Sequence, residues 1–261
     1  MEKDALERAL KQTYNEFEPF SWKYRVDFDR YNYSLKLLSS VGLTNKKIVD
    51  VGTGIGIVPA TLKKMDPSVQ AVGLDRYIFP DSNSKMFGIP EIETLKKIWK
   101  KSGIEILNAD IYDSNIPEKV RGADILLNEA TIEHVKDPKR FLLACRTLLK
   151  DGGYLLISTP NCATLLKRLR FLFGKSPYWP IESFFEDGEL FTGHWREYTR
   201  KELVSMCETA GFEVLETYTK NVLTKFKALR HIKRNLRALV SLLSSPFPGM
   251  REMHYVLCRK T

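Results

Sequence analysis

The sequence predicts an α/β protein built on a doubly wound, largely parallel sheet. In the first half of the chain, short apolar stretches that suit buried strands alternate with segments of helical periodicity. Such alternation is typical of parallel strands joined by crossover helices. The first strand runs into a glycine-rich turn that leads directly into a helix. This order of strand, glycine turn and helix predicts a site for a nucleotide-like ligand.

The glycine-rich turn belongs to the stretch KKIVDVGTGIG, residues 46–56. Its apolar strand carries the acid Asp50, and glycine occupies every second position at Gly52, Gly54 and Gly56. Glycine has no Cβ, so the backbone can approach a ligand closely and adopt a positive φ. The alternative is that the three glycines only make a tight turn.

A second acid favours the ligand site. The apolar strand 69–74 ends at Asp75, nineteen residues beyond Gly56. A carboxylate at this place can accept hydrogen bonds from both ribose hydroxyls of a nucleoside. Nicotinamide oxidoreductases share that arrangement, but their G-x-G-x-x-G pattern needs a glycine where Ile57 stands. The stretch D-V-G-T-G-I-G instead resembles motif I of the class I S-adenosylmethionine-dependent methyltransferases.

Later stretches extend this resemblance. Residues 123–161 contain the patterns E-H-V-x-D-P and L-x-x-G-G-x-L-x-I-S-x-P, and they are similar to the fourth and fifth strands of the family's small-molecule branch, type 11. Residues 193–214 resemble the approach to the family's last helix and sixth strand. Residues 45–218 and 252–260 are covered in all.

The resemblance implies a fold, a cofactor and a set of binding residues. The fold would be a Rossmann-like seven-stranded sheet, mostly parallel, of strand order 3-2-1-4-5-7-6 with strand 7 antiparallel. The cofactor would be S-adenosyl-L-methionine, with the glycine turn beneath its methionine part and Asp110 beside its adenine. The expected cofactor-binding residues are Asp50, Gly52, Thr53, Gly54, Gly56, Asp75, Arg76, Asp110, Ile111, Asn128 and Glu129.

Two histidines are the candidates for a general base, because imidazole titrates near neutrality and could take a proton from an acceptor hydroxyl. His134 follows the predicted end of strand four by one turn, and His194 opens the stretch HWREYT. Either histidine could instead hold a loop through backbone hydrogen bonds. HWREYT could likewise be a connector, with Thr199 as N-cap of a helix and Glu202 completing a capping box. The residues expected to contact the acceptor are Tyr24, Tyr31, Trp195 and Tyr198.

The expected reaction is methyl transfer to an oxygen of a small hydrophobic or lipid- or glycan-linked acceptor. A nicotinamide oxidoreductase and a catalytically inactive binding protein of the same fold are the alternatives. The sequence requires no metal, although related quinone-pathway enzymes can use a divalent ion. Glu129 or Glu133 would then be the residues to suspect.

One domain is expected for residues 1–261, with three additions to the sheet. Residues 1–44 form a helical and aromatic N-terminal cap. Residues 161–193 form an apolar cap insertion over the acceptor site, and residues 219–252 form a basic amphipathic insertion between strands 6 and 7. The irregular loop 76–90 departs from the family pattern beside the ribose site.

The net charge of +9 is concentrated in one segment. From residue 220 to residue 261 there are ten Lys and Arg against one acid, whereas the preceding part is balanced. Within residues 222–243 an apolar helical face adjoins a basic one, which predicts binding to an anionic membrane surface. A packed helix with a solvated basic face is the alternative. Nucleic acid is disfavoured, because no aromatics are interleaved with the bases.

The composition, 43% hydrophobic and 28% charged over 261 residues, is that of an ordinary globular protein. The four cysteines form no C-x-x-C pair, which indicates buried thiols in a reducing compartment and no zinc site. Residues 1–10 lack the apolar core of a signal peptide, and no window of 18 uninterrupted apolar residues could span a bilayer. A cytoplasmic protein, peripheral to the membrane, is therefore expected.

Overall fold

The computed structural model describes residues 3–21, 27–76, 89–188, 191, 193–222 and 239–261. Its centre is a seven-stranded sheet of order β3-β2-β1-β4-β5-β7-β6. The strands β1 to β5 pair in parallel, and β7 is antiparallel to both β5 and β6. This confirms the predicted strand order. The strands are β1 (Lys47–Val51), β2 (Gln70–Asp75), β3 (Glu105–Asn108), β4 (Ala123–Glu129), β5 (Leu149–Pro160), β6 (Phe212–Lys220) and β7 (Met253–Lys260).

Helices cover both faces of the sheet. Alternate residues of a strand point to opposite faces, so Ile48 and Leu127 belong to one core cluster while Val49 and Leu126 belong to the other. Besides a short helical stretch near the C-terminus, the α-helices among the described residues are α1 (Lys3–Glu16), α2 (Glu18–Ser21), α3 (Phe28–Ser39), α4 (Ile57–Met65), α5 (Ile89–Lys101), α6 (Pro138–Leu148), α7 (Leu165–Leu172), α8 (Ile181–Asp187) and α9 (Arg200–Thr209).

The register brings the carboxyl ends of the central strands to one edge. Val51 of β1 lies opposite Leu74 of β2 and Asn128 of β4. The acids, amides and turns that follow these strands are therefore neighbours in space, although they are far apart in the sequence. An open parallel sheet binds its ligands at this edge.

The N-terminal cap packs against the helix that follows the glycine turn. Thr61 of α4 donates a hydrogen bond to Thr13 of α1 over 3.1 Å, and Lys64 pairs with Glu16 over 2.6 Å. The helix α3 begins at Phe28, and Tyr31 and Leu35 lie on its buried face. Residues 22–26, and Tyr24 with them, lie outside the described residues.

The predicted insertions are described in part. The cap insertion contains α7 and α8. Between β6 and β7, Val222 is buried in the core and so does not lie on an exposed helical face. Residues 223–238, which carry most of the predicted amphipathic helix, lie outside the described residues, as do residues 77–88 of the loop after Asp75. Residues 239–244 are helical.

The four cysteines are free thiols; Cys145, Cys207 and Cys258 are buried as expected, whereas Cys162 is only partly buried. The capping box at the start of α9 is confirmed: Thr199 accepts from the Glu202 amide, and the Glu202 carboxylate accepts from the Thr199 amide over 2.8 Å. Within the part of the chain that the structure describes, no helix combines the length and the apolarity needed to cross a bilayer.

Candidate cofactor and acceptor site

The glycine turn lies at the carboxyl edge of the sheet, between β1 and α4. Gly52, Gly54 and Gly56 all have positive φ, at 76°, 58° and 90°. A Cβ on Gly52 would lie 2.1 Å from Thr131 Oγ1, so both its conformation and its surroundings require glycine. Its amide donates to Leu74 O over 2.8 Å. The turn is thus pressed against the loop after β4.

Asp50 lies beneath this turn and is 2% exposed. Its Oδ2 accepts from Thr53 Oγ1 over 2.7 Å, whereas Oδ1 has no hydrogen-bond partner among the described residues. Burial raises the pKa of Asp50 to about 7, and the Thr53 hydrogen bond opposes this rise. A buried carboxyl with an unsatisfied oxygen would be stabilised by a cation, such as the ammonium of an amino-acid ligand.

Asp75 ends β2 beside the same turn. Its Oδ2 accepts from the Gly54 amide and its Oδ1 from the Arg76 amide, both over 2.7 Å. Burial raises the pKa of Asp75, and these two amides act against that rise. Because each carboxylate oxygen has two lone pairs, the held carboxylate keeps the capacity to accept from two hydroxyls. This geometry suits the predicted ribose contact.

Arg76 and Asp110 meet at the outer end of the site. Arg76 Nη1 donates to Asp110 Oδ2 over 2.7 Å, and Asp110 Oδ1 accepts from the Tyr112 amide over 3.0 Å. Ile111, which follows Asp110 in the chain, is partly exposed. The structure thus brings these three predicted residues together next to Asp75, and it adds an ion pair that the sequence did not indicate.

Asn128 and Glu129 form the floor at the end of β4. Asn128 Nδ2 donates to Val51 O over 3.2 Å, and its Oδ1 lacks a partner among the described residues. Glu129 is paired with Arg30 of α3, with 3.4 Å between Oε2 and Nε. Burial raises the pKa of Glu129 to about 7, and Arg30 opposes this. Arg30, itself paired with Asp27, ties the N-terminal cap to the site.

Sequence reasoning missed Arg30. The available signal was the D-x-x-R spacing of Asp27 and Arg30 on a helix, since residues three apart face the same side. That spacing cannot distinguish a buried pair from a surface one.

The two candidate bases, sixty residues apart in the chain, lie side by side. The ring centroids of His134 and His194 are 4.8 Å apart and the rings are nearly perpendicular, at 87°. His134 Nδ1 is 3.1 Å from Gly193 O, and His194 Nδ1 is 2.9 Å from Glu197 Oε1. An Nδ1 that donates leaves Nε2 as the acceptor of a neutral ring. Both histidines therefore have a partner that can fix this tautomer.

His194 is held in the neutral state. Burial lowers its pKa to about 3, and the positive charges of His134 and Lys167 act in the same direction. Lys167 of α7 forms an ion pair with Glu197, the partner of His194. Burial lowers the pKa of Lys167 to about 8. The ammonium of Lys167 points inward from α7, because its partner Glu197 lies beneath this helix.

Glu133 completes this cluster. Its side chain is buried, Oε2 accepts from Thr159 Oγ1 over 3.0 Å, and burial raises its pKa to about 7. One ligand atom each of Glu133, His134 and His194 lies within 4.8 Å of the others. These are residue types that bind divalent metals, so the expectation that no metal is required stays a prediction.

The four residues expected to contact the acceptor do not all lie beside the histidine pair. Trp195 packs against Phe184 of α8 with ring centroids 5.3 Å apart, next to the histidine pair. Tyr31 and Tyr198 are buried in the core, the latter at 2% exposure. Tyr24 lies outside the described residues. Contact of these four residues with an acceptor stays a prediction.

The site fits S-adenosylmethionine. A glycine turn, a carboxylate at the tip of β2 and unsatisfied buried oxygens on Asp50 and Asn128 suit a ligand that joins a nucleoside to an amino acid. Fold and site together define a nucleoside-binding α/β protein of the class I methyltransferase type.

A comparison with known protein families supports this class. Residues 25–217 match the methyltransferase domain family. The chain therefore belongs to that family, and its sheet order is the one predicted for the class I S-adenosylmethionine-dependent methyltransferases. Its cofactor is S-adenosylmethionine. The family match argues against the nicotinamide oxidoreductase that would use the same sheet.

Individual proteins similar to this chain are also methyltransferases by name. The chain is 27% identical over 121 residues to the ubiquinone biosynthesis O-methyltransferase of Cupriavidus pinatubonensis, covering 46% of this chain and 43% of that protein. It is 28% identical over 214 residues to the protein of the same name from Marinobacter nauticus, covering 81% and 80%. The match thus spans less than half the length of the first relative.

A solved structure agrees in fold. Phosphoethanolamine N-methyltransferase 2 of Haemonchus contortus, solved in complex with S-adenosyl-L-methionine, superposes with a TM-score of 0.55 at 16% identity. The superposition covers 88% of this chain and 52% of that one. At this identity the likeness concerns the fold.

Proposed function

We propose that the protein transfers the methyl group of S-adenosylmethionine to an oxygen of a small hydrophobic or lipid- or glycan-linked acceptor. The observation that carries the proposal is the histidine pair, His134 and His194, at the ligand-binding edge of the sheet. The names of two relatives, both ubiquinone biosynthesis O-methyltransferases, support oxygen as the receiving atom.

The main task of the protein in this reaction is to bind the cofactor and the acceptor and to align them for methyl transfer. S-adenosylmethionine, when bound, supplies a methyl group already activated on a sulfonium, so positioning is the larger part of catalysis. Asp75 holds the ribose hydroxyls, and Asp50 and Asn128 meet the polar groups of the methionine part. The Arg30–Glu129 pair holds the N-terminal cap against this floor.

A hydroxyl acceptor also needs a base. Either histidine can take the proton at Nε2 while its Nδ1–H donates to Gly193 O or to Glu197. The carboxylate at Nδ1 of His194 would stabilise the imidazolium that forms, whereas burial and the charges of His134 and Lys167 oppose proton uptake there. His134 is exposed and can pass the proton to solvent.

The cap insertion supports an apolar acceptor. Trp179, ahead of α8, lies with its ring centroid 4.9 Å from that of His194. An aromatic wall against the base suits a hydrophobic or aromatic acceptor. The predicted membrane contact through residues 222–243 remains a proposal, since most of that segment lies outside the described residues.

The test is a methyl-transfer assay with labelled S-adenosylmethionine and a panel of phenolic, quinol, lipid and glycolipid acceptors. His194→Ala should lower kcat about a hundredfold or more and leave the cofactor Kd unchanged, and His134→Ala should act in the same direction. Each reaction is repeated with a chelator, which reports on metal dependence.

Full kcat in both variants would contradict a histidine base. Tight cofactor binding without turnover on any acceptor would instead favour the alternative of an inactive binding protein.

A further inference from the structure

The exposed apolar side chains of this protein are concentrated in the cap insertion. Sixteen large apolar side chains are exposed among the described residues, and ten of them lie between residues 166 and 185. Phe173 and Phe185 are exposed by 75% and 85%. Such a concentration marks an interaction surface. We call this set the outer apolar surface: Leu166, Leu169, Phe171, Leu172, Phe173, Tyr178, Trp179, Ile181, Phe184 and Phe185.

The helices α7 and α8, which carry this surface, are anchored to the site by side chains on their inner side. Lys167 pairs with Glu197 and donates to Asn161 O over 3.2 Å. Phe184 packs on Trp195. Trp179 and Phe184 of the surface thus also make inner contacts. Phe171, Leu172 and Phe173, by contrast, are 71%, 74% and 75% exposed within the described part of the chain.

The charges around α7 and the turn after it are of one sign. Residues 163–181 contain four bases, Lys167, Arg168, Arg170 and Lys175, and no acid. The last three of these are exposed. The acids of the cap insertion begin only at Glu182, the second residue of α8. The apolar residues of α7 and of the turn after it are thus bordered by bases.

A second group of exposed apolar residues lies in the insertion between β6 and β7. Leu239, Leu242, Leu243 and Phe247 are exposed near the end of the other insertion. The two insertions are joined at their roots, where Asn161 Nδ2 donates to Gly249 O over 3.1 Å and to Arg251 O over 2.8 Å.

We propose that the outer apolar surface of α7 and the turn after it inserts into the interface of an anionic lipid bilayer. Leucine, phenylalanine, tryptophan and tyrosine bordered by Lys and Arg are the composition of interfacial segments, and bases there are attracted to anionic headgroups. This contact differs from the one predicted for residues 222–243. It has a consequence that rests on the proposed function: the histidine pair beneath the insertion would face acceptors that reside in the membrane.

The test is co-sedimentation of the full chain with vesicles of phosphatidylcholine and phosphatidylglycerol in a ratio of about 2:1, and with vesicles of phosphatidylcholine alone. The variant Leu172→Glu/Phe173→Glu changes two highly exposed residues of the surface. Its matched control is Leu143→Glu/Leu215→Glu, which changes the two large apolar residues that are exposed outside both insertions in the described part of the chain.

We expect the first variant to bind the anionic vesicles at least tenfold more weakly than the wild type, and the control to bind as the wild type does. Binding to phosphatidylcholine alone should be weaker. Trp179 emission should shift to the blue on binding, a change absent from Trp179→Phe. Calorimetry with S-adenosylmethionine shows that each variant is folded and does not depend on lipid.

Three results would overturn the proposal. The wild type could fail to sediment with anionic vesicles, or Leu172→Glu/Phe173→Glu could sediment as the wild type does. The third is a concentration-dependent dimer that this variant abolishes, which would make the surface a contact between two copies of the chain. None of these results bears on methyl transfer, so the two proposals can fail separately.

Discussion

Asp50 is the residue whose charge a bound cofactor would change. In the free protein burial raises its pKa to about 7, so near neutrality a fraction of the carboxyl is protonated. The ammonium group of a methionine part would favour the ionised form and lower this pKa. Binding would then be coupled to the release of a proton.

The affinity of the protein for the cofactor should therefore depend on pH. Below about pH 7 the free protein holds a proton that the complex lacks, so cofactor affinity should fall with decreasing pH, by up to about tenfold per pH unit. Calorimetry in buffers of different ionisation enthalpy measures the protons released. Asp50→Asn should bind more weakly and without this slope, whereas a slope of the opposite sign in the wild type would show that Asp50 does not face the ammonium.

Asp75 carries the predicted grip on the ribose. Asp75→Ala removes its charge-assisted hydrogen bonds, and we expect at least a tenfold loss of affinity for S-adenosylmethionine, or about 1.4 kcal/mol. Asp151→Ala is the control, because Asp151 is an exposed acid of β5. Equal affinity in wild type and Asp75→Ala would mean that the nucleoside lies elsewhere.

His254 is a buried histidine outside the site. Neither ring nitrogen has a hydrogen-bond partner among the described residues, and burial lowers its pKa to about 4. Since the unfolded chain takes up a proton near pH 6.5 and the folded one does not, stability should fall as the pH decreases from about 6.5 to 4, by up to about 3 kcal/mol.

Urea unfolding of wild type and His254→Phe across this pH range isolates that contribution. The variant should lose less stability on acidification than the wild type does. Identical pH profiles would show that the imidazole is protonated or solvated in the folded state. Comparing the two proteins is necessary because buried carboxyls such as Glu133, whose pKa is raised, act in the opposite direction.

Among the elements, α9 shows a local signal that the sequence states completely. A capping box involves residues three apart, so Thr199 and Glu202 predict it without tertiary information. Thr199→Ala should lower the free energy of unfolding by about 1 kcal/mol and leave cofactor affinity unchanged. Thermal unfolding and calorimetry check the two parts, and a large loss of affinity would mean that the stretch before α9 is part of the cofactor site.

Contacts between elements were harder to predict. The apolar pattern of α7 indicates a helix, but it does not tell which side faces the protein. Lys167 turns inward because Glu197 lies beneath it, and the leucines that periodicity would bury are exposed instead. Likewise α3 begins at Phe28 because its buried face includes Tyr31, which an aromatic-rich stretch does not reveal.

At the scale of the whole molecule, the sequence predicts the features that the family motifs carry. The alternation of strands and helices and the resemblance predict the order of the strands. The glycine turn, Asp50 and Asp75 lie within or just after the first two strands, so the motif predicts their places. The meeting of His134 with His194 and the pairing of Arg30 with Glu129 join distant segments. They depend on how loops pack at the sheet edge, which no local pattern encodes.

Calorimetry of the purified chain with S-adenosylmethionine and, separately, with its demethylated product S-adenosylhomocysteine is the first experiment to make. We expect both to bind at micromolar concentration, since the glycine turn and Asp75 would contact parts that the two molecules share. A folded sample that binds neither would contradict the assignment of the cofactor site, and with it the proposed methyl transfer.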